Sequence, residues 1–95
     1  MSELEKTAYF IGNLDRPELN LRSPIPIYVE AAGEQFVAYS PDLEEFAVGL
    51  DHQSAIDELK ESIIAVYFIL KKDQSRLGPI QQNHWDYLRR IILET

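Results

Sequence analysis

The stretch from Asp51 to Lys72 most narrows what this chain can fold into. Ala55, Ile56, Leu59, Ile63 and Val66 recur at helical spacing. Asp51 is a good N-cap, and Asp57, Glu58 and Glu61 precede Lys71 and Lys72 in the order that suits the helix dipole. The spacing predicts one long helix. Past Ile63 the apolar side widens until Ala65, Val66, Tyr67, Phe68, Ile69 and Leu70 leave no polar face. A helix apolar all round must be covered on more than one side. A sheet can cover one side; a second element must cover the other.

The residues before it supply the sheet. Ile25, Ile27 and Val29 alternate and share one strand face. Pro24 and Pro26 cannot donate ladder hydrogen bonds, so the start of this strand is expected at a sheet edge. Ala31-Ala32-Gly33-Glu34 reads as a tight turn, with Gly33 free to take positive φ. Gln35 to Ser40 is the return strand. Pro41-Asp42 breaks it, and Glu45 to Leu50 forms a third strand with Phe46, Val48 and Leu50 on one face. Gly49 inside that strand implies a bulge or a close backbone approach. Thr7 to Ile11 has strand composition, and Leu19 and Leu21 alternate weakly.

The covering element lies after the long helix. Pro79 suits a first helical position, and Trp85, Leu88, Ile91 and Ile92 form a stripe on a second helix running from about Ile80 to Glu94. The fold class is therefore α+β: a three- to four-stranded antiparallel sheet on one long helix, β-β-β-α, plus a C-terminal helix. The predicted core between sheet and first helix is Ile27, Phe36, Val48, Leu59, Ile63 and Val66.

At 95 residues the chain is expected to be one domain, residues 1–95, which buries only about 60–65% of its unfolded surface. Pairing with a copy would help, and Tyr67, Phe68, Trp85, Leu88 and Ile92 are the expected interface of a homodimer. There is no cysteine, so no disulfide framework and no thiolate metal site. The opening Met1-Ser2-Glu3-Leu4-Glu5-Lys6 is charged and unlike a secretory signal. The longest apolar run, Ile63 to Leu70, is eight residues against the ~20 of a membrane helix. A cytoplasmic protein without membrane contact is the expectation.

The net charge of −7 is uneven. Between Glu30 and Glu61 nine acids face a single base, Lys60, for a local charge of −8. Such a surface repels phosphate, so direct nucleic-acid binding is not expected. It steers a basic partner instead, with Asp42, Glu44 and Glu45 as the expected contacts. The plainer reading is solubility. Arg89 and Arg90, with Lys71, Lys72 and Arg76, lie among Asp73, Asp86 and Glu94, where helix-end bases are expected on dipole grounds alone.

Catalysis finds no foothold. His52 and His84 each stand beside a carboxylate in sequence, but sequence neighbours on a helix do not face each other. Both read as surface histidines near a helix start. Two histidines fall short of a zinc site. Ser40, Ser54 and Ser62 sit in no nucleophile elbow, and the four glycines are scattered singly, so no phosphate-cradling loop exists. Asp42, Glu44 and Glu45 could hold Mg²⁺, but in a turn they read as solvated charge. No catalytic residue, metal ligand or cofactor is assigned.

The run Tyr39-Ser40-Pro41-Asp42-Leu43-Glu44-Glu45-Phe46-Ala47-Val48-Gly49-Leu50-Asp51 resembles the HicB-like antitoxin family. In that family an aromatic-bearing strand is followed by Pro-Asp-Leu-Pro-Gly, a short strand, a glycine and a capped helix. Pro41, Asp42, Leu43 and Gly49 match by type and spacing, Asp51 stands at the cap, and the likeness spans about residues 25–72. Glu44-Glu45 replaces the usual Pro-Gly, and a proline-started helix follows where many relatives carry a fourth strand and a DNA-binding unit. The resemblance implies a partial ribonuclease-H-like core without catalytic carboxylates, acting as an antitoxin or regulator by binding a small basic toxin-like protein. The alternative is an accessory domain that binds a small ligand or metal at the sheet edge.

Overall fold

A computed structural model describes residues 6–95; the charged opening, residues 1–5, read above as unlike a secretory signal, lies outside them. The elements run β1 (Lys6–Ile11), β2 (Leu19–Leu21), β3 (Ile25–Ala32), β4 (Gln35–Ser40), β5 (Glu45–Gly49), α1 (His52–Lys72), α2 (Pro79–Ile91) and β6 (Ile92–Glu94). Strands β1, β3, β4 and β5 form, in that order, a four-stranded antiparallel sheet packed on α1. A second helix follows, so the architecture is the expected α+β.

The β3–β4 hairpin turns at Gly33, whose φ of 67° is open to glycine at little cost. Asp51 caps α1 through a reciprocal box: the Ser54 amide donates to Asp51 Oδ1 at 2.7 Å, and the Asp51 amide donates to Ser54 Oγ at 3.1 Å. These bonds hold the Asp51 carboxyl below its ordinary value, the backbone bond contributing most. Pro79 opens α2 at its first turn, as expected.

Buried Ile25, Ile27, Val29 and Ala38 from the sheet meet Ala55, Leu59 and Ile63 from α1 and Trp85, Leu88 and Ile91 from α2 in one contiguous core. Tyr67 and Trp85 join the helices, ring centroids 5.5 Å apart. Of the core expected from sequence, Ile27, Leu59 and Ile63 are fully buried, while Phe36 and Val66 pack against its margin.

Four expectations are corrected. Val48 is not core: with Phe46 and Leu50 it is exposed on the far side of the sheet. The side of β5 that meets α1 carries Glu45, Ala47 and Gly49, and at Gly49 the backbones approach too closely for any side chain. A Cβ on Gly49 would collide with the Ala55 backbone nitrogen, so this glycine marks a close approach. Secondly, β3 is an interior strand, flanked by β1 and β4. Its prolines are tolerated because pairing with β4 begins only at Tyr28↔Tyr39, beyond Pro26, so no donor is missed on that side. Thirdly, α2 stops at Ile91. Ile92 turns extended, and Ile92–Glu94 pairs antiparallel with Leu19–Leu21 as a separate two-stranded ribbon. Lastly, Tyr67, Trp85, Leu88 and Ile92, expected at a homodimer interface, are buried within one chain, leaving only Phe68 of that set exposed.

Among the described residues no helix is long and apolar enough to cross a membrane.

Candidate docking surface

Alternation along the four strands sends one set of side chains to the helices and the other to the opposite face. On that opposite face the register builds a row across the whole sheet: Ala8 is opposite Tyr28, Tyr28 opposite Tyr39, and Tyr39 opposite Phe46. Directly opposed side chains on neighbouring strands lie about 4.5–5.5 Å apart at Cβ, so the three rings form a continuous strip. Phe10, opposite Pro26, flanks the row on one side, and Val37, opposite Val48, on the other. Phe10 is 70% exposed, Phe46 62%, Tyr28 41%, Val48 40% and Tyr39 39%. Leu50, just past β5, is also exposed. Among the described residues nothing is packed over this face.

The face is nearly free of charge. Among the described residues its ionic groups are Lys6 and Glu30, which stand opposite each other in the β1–β3 register. The Lys6 ammonium also lies 5.8 Å from the centre of the Tyr28 ring. The acids lie elsewhere: Asp57, Glu58 and Glu61 are on α1, behind the sheet, where Glu61 pairs with Arg16 at 2.7 Å.

The acids expected to contact a partner do not form one free cluster. Glu45 is half-buried and accepts a hydrogen bond from Ser62 Oγ at 2.8 Å. Glu44 lies 3.6 Å from His84 Nε2. Burial, with the Asp42 carboxylate adding to it, pushes the Tyr87 hydroxyl up to about 12. This turn is thus tied to α1 and α2, with Leu43 buried beneath it. Glu44 has φ 55°, a left-handed conformation that costs a non-glycine residue strain. Of the sequence motif, Leu43, Gly49 and Asp51 have packing or capping roles, and Pro41 and Asp42 form the exposed turn.

His52, expected at the surface, is partly buried: Tyr9 Oη is 2.6 Å from its Nδ1, and the Phe36 ring meets it edge-on at 4.7 Å. His84 is likewise only partly exposed. Ser54 serves the α1 cap, Ser62 donates to Glu45, and Ser40 is fully buried with no hydrogen-bond partner for its hydroxyl. Among the described residues no three His, Asp or Glu side chains are grouped so as to hold a metal ion.

Sequence reasoning missed the open face because it assigned Phe46, Val48 and Leu50 inward. The available signal was the alternation of those large residues with Ala47 and Gly49: the small pair marks the side a helix must approach. Comparison with known proteins finds no match, neither a protein-family model nor a curated protein nor a solved structure.

Proposed function

We propose that this chain is a non-catalytic protein-binding module, acting as a HicB-like antitoxin or regulator of a small basic protein. The observation that carries the reading is the uncovered aromatic face of the sheet. Aromatic side chains dominate the energetics of protein contacts, and an exposed apolar patch of this extent on a chain of −7 marks an interaction surface. The acidic remainder of the molecule supports a cationic partner, drawn in by long-range attraction. The resemblance over residues 25–72 points the same way.

The test is co-expression with any short basic protein found encoded beside this one, followed by titration calorimetry and a growth assay. A complex weakened by added salt, and recovery of growth if that protein is toxic, are the expected results. Absence of a complex at low salt would overturn the proposal, as would RNA turnover by this chain that is lost on changing Asp42 or His52.

A further inference from the structure

We infer that the open face of the sheet is closed by a second copy of this chain, giving a back-to-back dimer of two four-stranded sheets. The inference rests on the protein-binding reading above: it gives the open sheet face to a second copy and leaves the acidic layer behind the sheet to the basic partner.

Charge selects the occupant. A cationic protein seated here would meet, among the described residues, one acid, Glu30, already opposite Lys6. The acids that would attract it lie behind the sheet and at its turns. Two copies of −7, by contrast, repel each other overall, and least where neither presents net charge. Among the described residues the open face is that place, since Lys6 and Glu30 cancel within each copy and the rest of the contact is largely apolar. A symmetric pair also closes on itself, because each copy offers the same face to the other.

The size agrees. Phe10, Tyr28, Tyr39, Phe46, Val48 and Leu50 expose between about two-fifths and three-quarters of their surfaces. With about 200 Å² for a whole aromatic side chain and less for Val48 and Leu50, that is roughly 600 Å². A stable interface takes about 800 Å² from each partner, and two antiparallel sheets pack face to face with side chains interdigitated about 10 Å apart. The dimer hides the aromatic row and turns both acidic helix layers outward. A basic partner then meets twice the charge of one chain.

Light scattering behind size exclusion over a range of concentrations tests this. The wild type is expected at twice the chain mass of 11.0 kDa. Phe46→Lys and Phe10→Lys, both at exposed positions, should each raise the dimer Kd roughly 30-fold or more, because each change occurs twice in a symmetric contact. Ile69→Lys, exposed on α1 and away from the sheet, should leave the dimer intact. Circular dichroism checks that each variant is folded. Independently of stability, a benzophenone photocrosslinker at position 46 should join two copies, and one at position 69 should not. A wild type at 11.0 kDa throughout, or a dimer that survives both sheet substitutions, overturns the inference. The two proposals fail separately. A monomer whose basic partner is lost on Phe46→Lys keeps the binding module and removes the dimer. A sheet-faced dimer that binds no basic protein keeps the dimer and removes the antitoxin role.

Discussion

Gly49 on β5 and Ala55 on α1 sit so close that a methyl group on the glycine would run into the Ala55 backbone nitrogen. The contact sets how near the helix lies to the sheet. Gly49→Ala forces strand and helix apart, and overpacking of this kind costs about 1–3 kcal/mol. Urea unfolding should show a lowered midpoint with an unchanged slope. A midpoint equal to wild type would mean that the helix yields freely at its first turn.

Ile63 has no exposed surface and lies in the core cluster where α1 meets the sheet. Ile63→Ala should destabilise the fold by ~2–5 kcal/mol through lost transfer energy and the cavity left behind. Val48→Ala, on the open face, should cost the isolated chain far less. Denaturant titration of the pair distinguishes the two faces of the sheet; equal losses would contradict the assigned packing.

Glu44 holds a left-handed backbone that glycine adopts without strain. Glu44→Gly should leave stability unchanged or raise it by up to about 1 kcal/mol, the lost strain offsetting the extra freedom of the unfolded chain. Glu44→Val should lower it, since a branched side chain fits that conformation poorly. Thermal unfolding of the two variants provides the comparison.

Stability should fall at both ends of the pH scale, for different groups. Hydrogen bonds from Lys71 and Tyr67 hold the Glu94 carboxyl below its ordinary value, and the capping box does the same for Asp51. The folded chain therefore takes up these protons less readily than the unfolded one. Their contribution is complete above about pH 4–5, where unfolded carboxyls are ionised, and disappears as pH falls through the lowered folded values. Tyr67, by burial first and then by its bond to Glu94, is pushed up to about 12, as is Tyr87. Unfolded tyrosines ionise near ~10, so the contribution of these two is complete below that pH and is lost as pH rises toward about 12. Urea midpoints across the range measure both limbs. Tyr67→Phe combined with Tyr87→Phe should flatten the alkaline limb and leave the Asp51 part of the acid limb in place.

Where sequence periodicity met a single burial demand, it was readable. Ile25, Ile27 and Val29 point to the core as their alternation requires, and Ala55, Leu59 and Ile63 do so at helical spacing. Asp51 caps where a capping residue was expected. The open face was illegible because β4 is apolar on both sides: Phe36 and Ala38 face inward while Val37 and Tyr39 face outward, so period-two reasoning has no polar face to anchor it. In β5 large residues were preferred for the core on hydrophobicity alone, whereas α1 lies too close to Gly49 for any side chain there. The C-terminal strand was hidden for another reason. Ile91 and Ile92 continue a helical stripe, and only the distant partner Leu19–Leu21 makes the extended form of Ile92–Glu94 favourable.

That ribbon of β2 and β6 has a kinetic meaning. It joins positions 19–21 to positions 92–94, so nearly the whole chain must be in place before it can close. Beyond the ladder, the Thr95 amide donates to the Glu18 carbonyl and the Arg22 amide to the Ile91 carbonyl. Contacts so far apart in sequence are entropically expensive to make early and form late, after the hairpin of β3 and β4 and helix α1 have assembled. Bonds absent from the folding transition state slow unfolding and leave the rate of folding little changed. The ribbon is a latch: it sets how long the folded chain lasts once made, and has little part in how fast it forms.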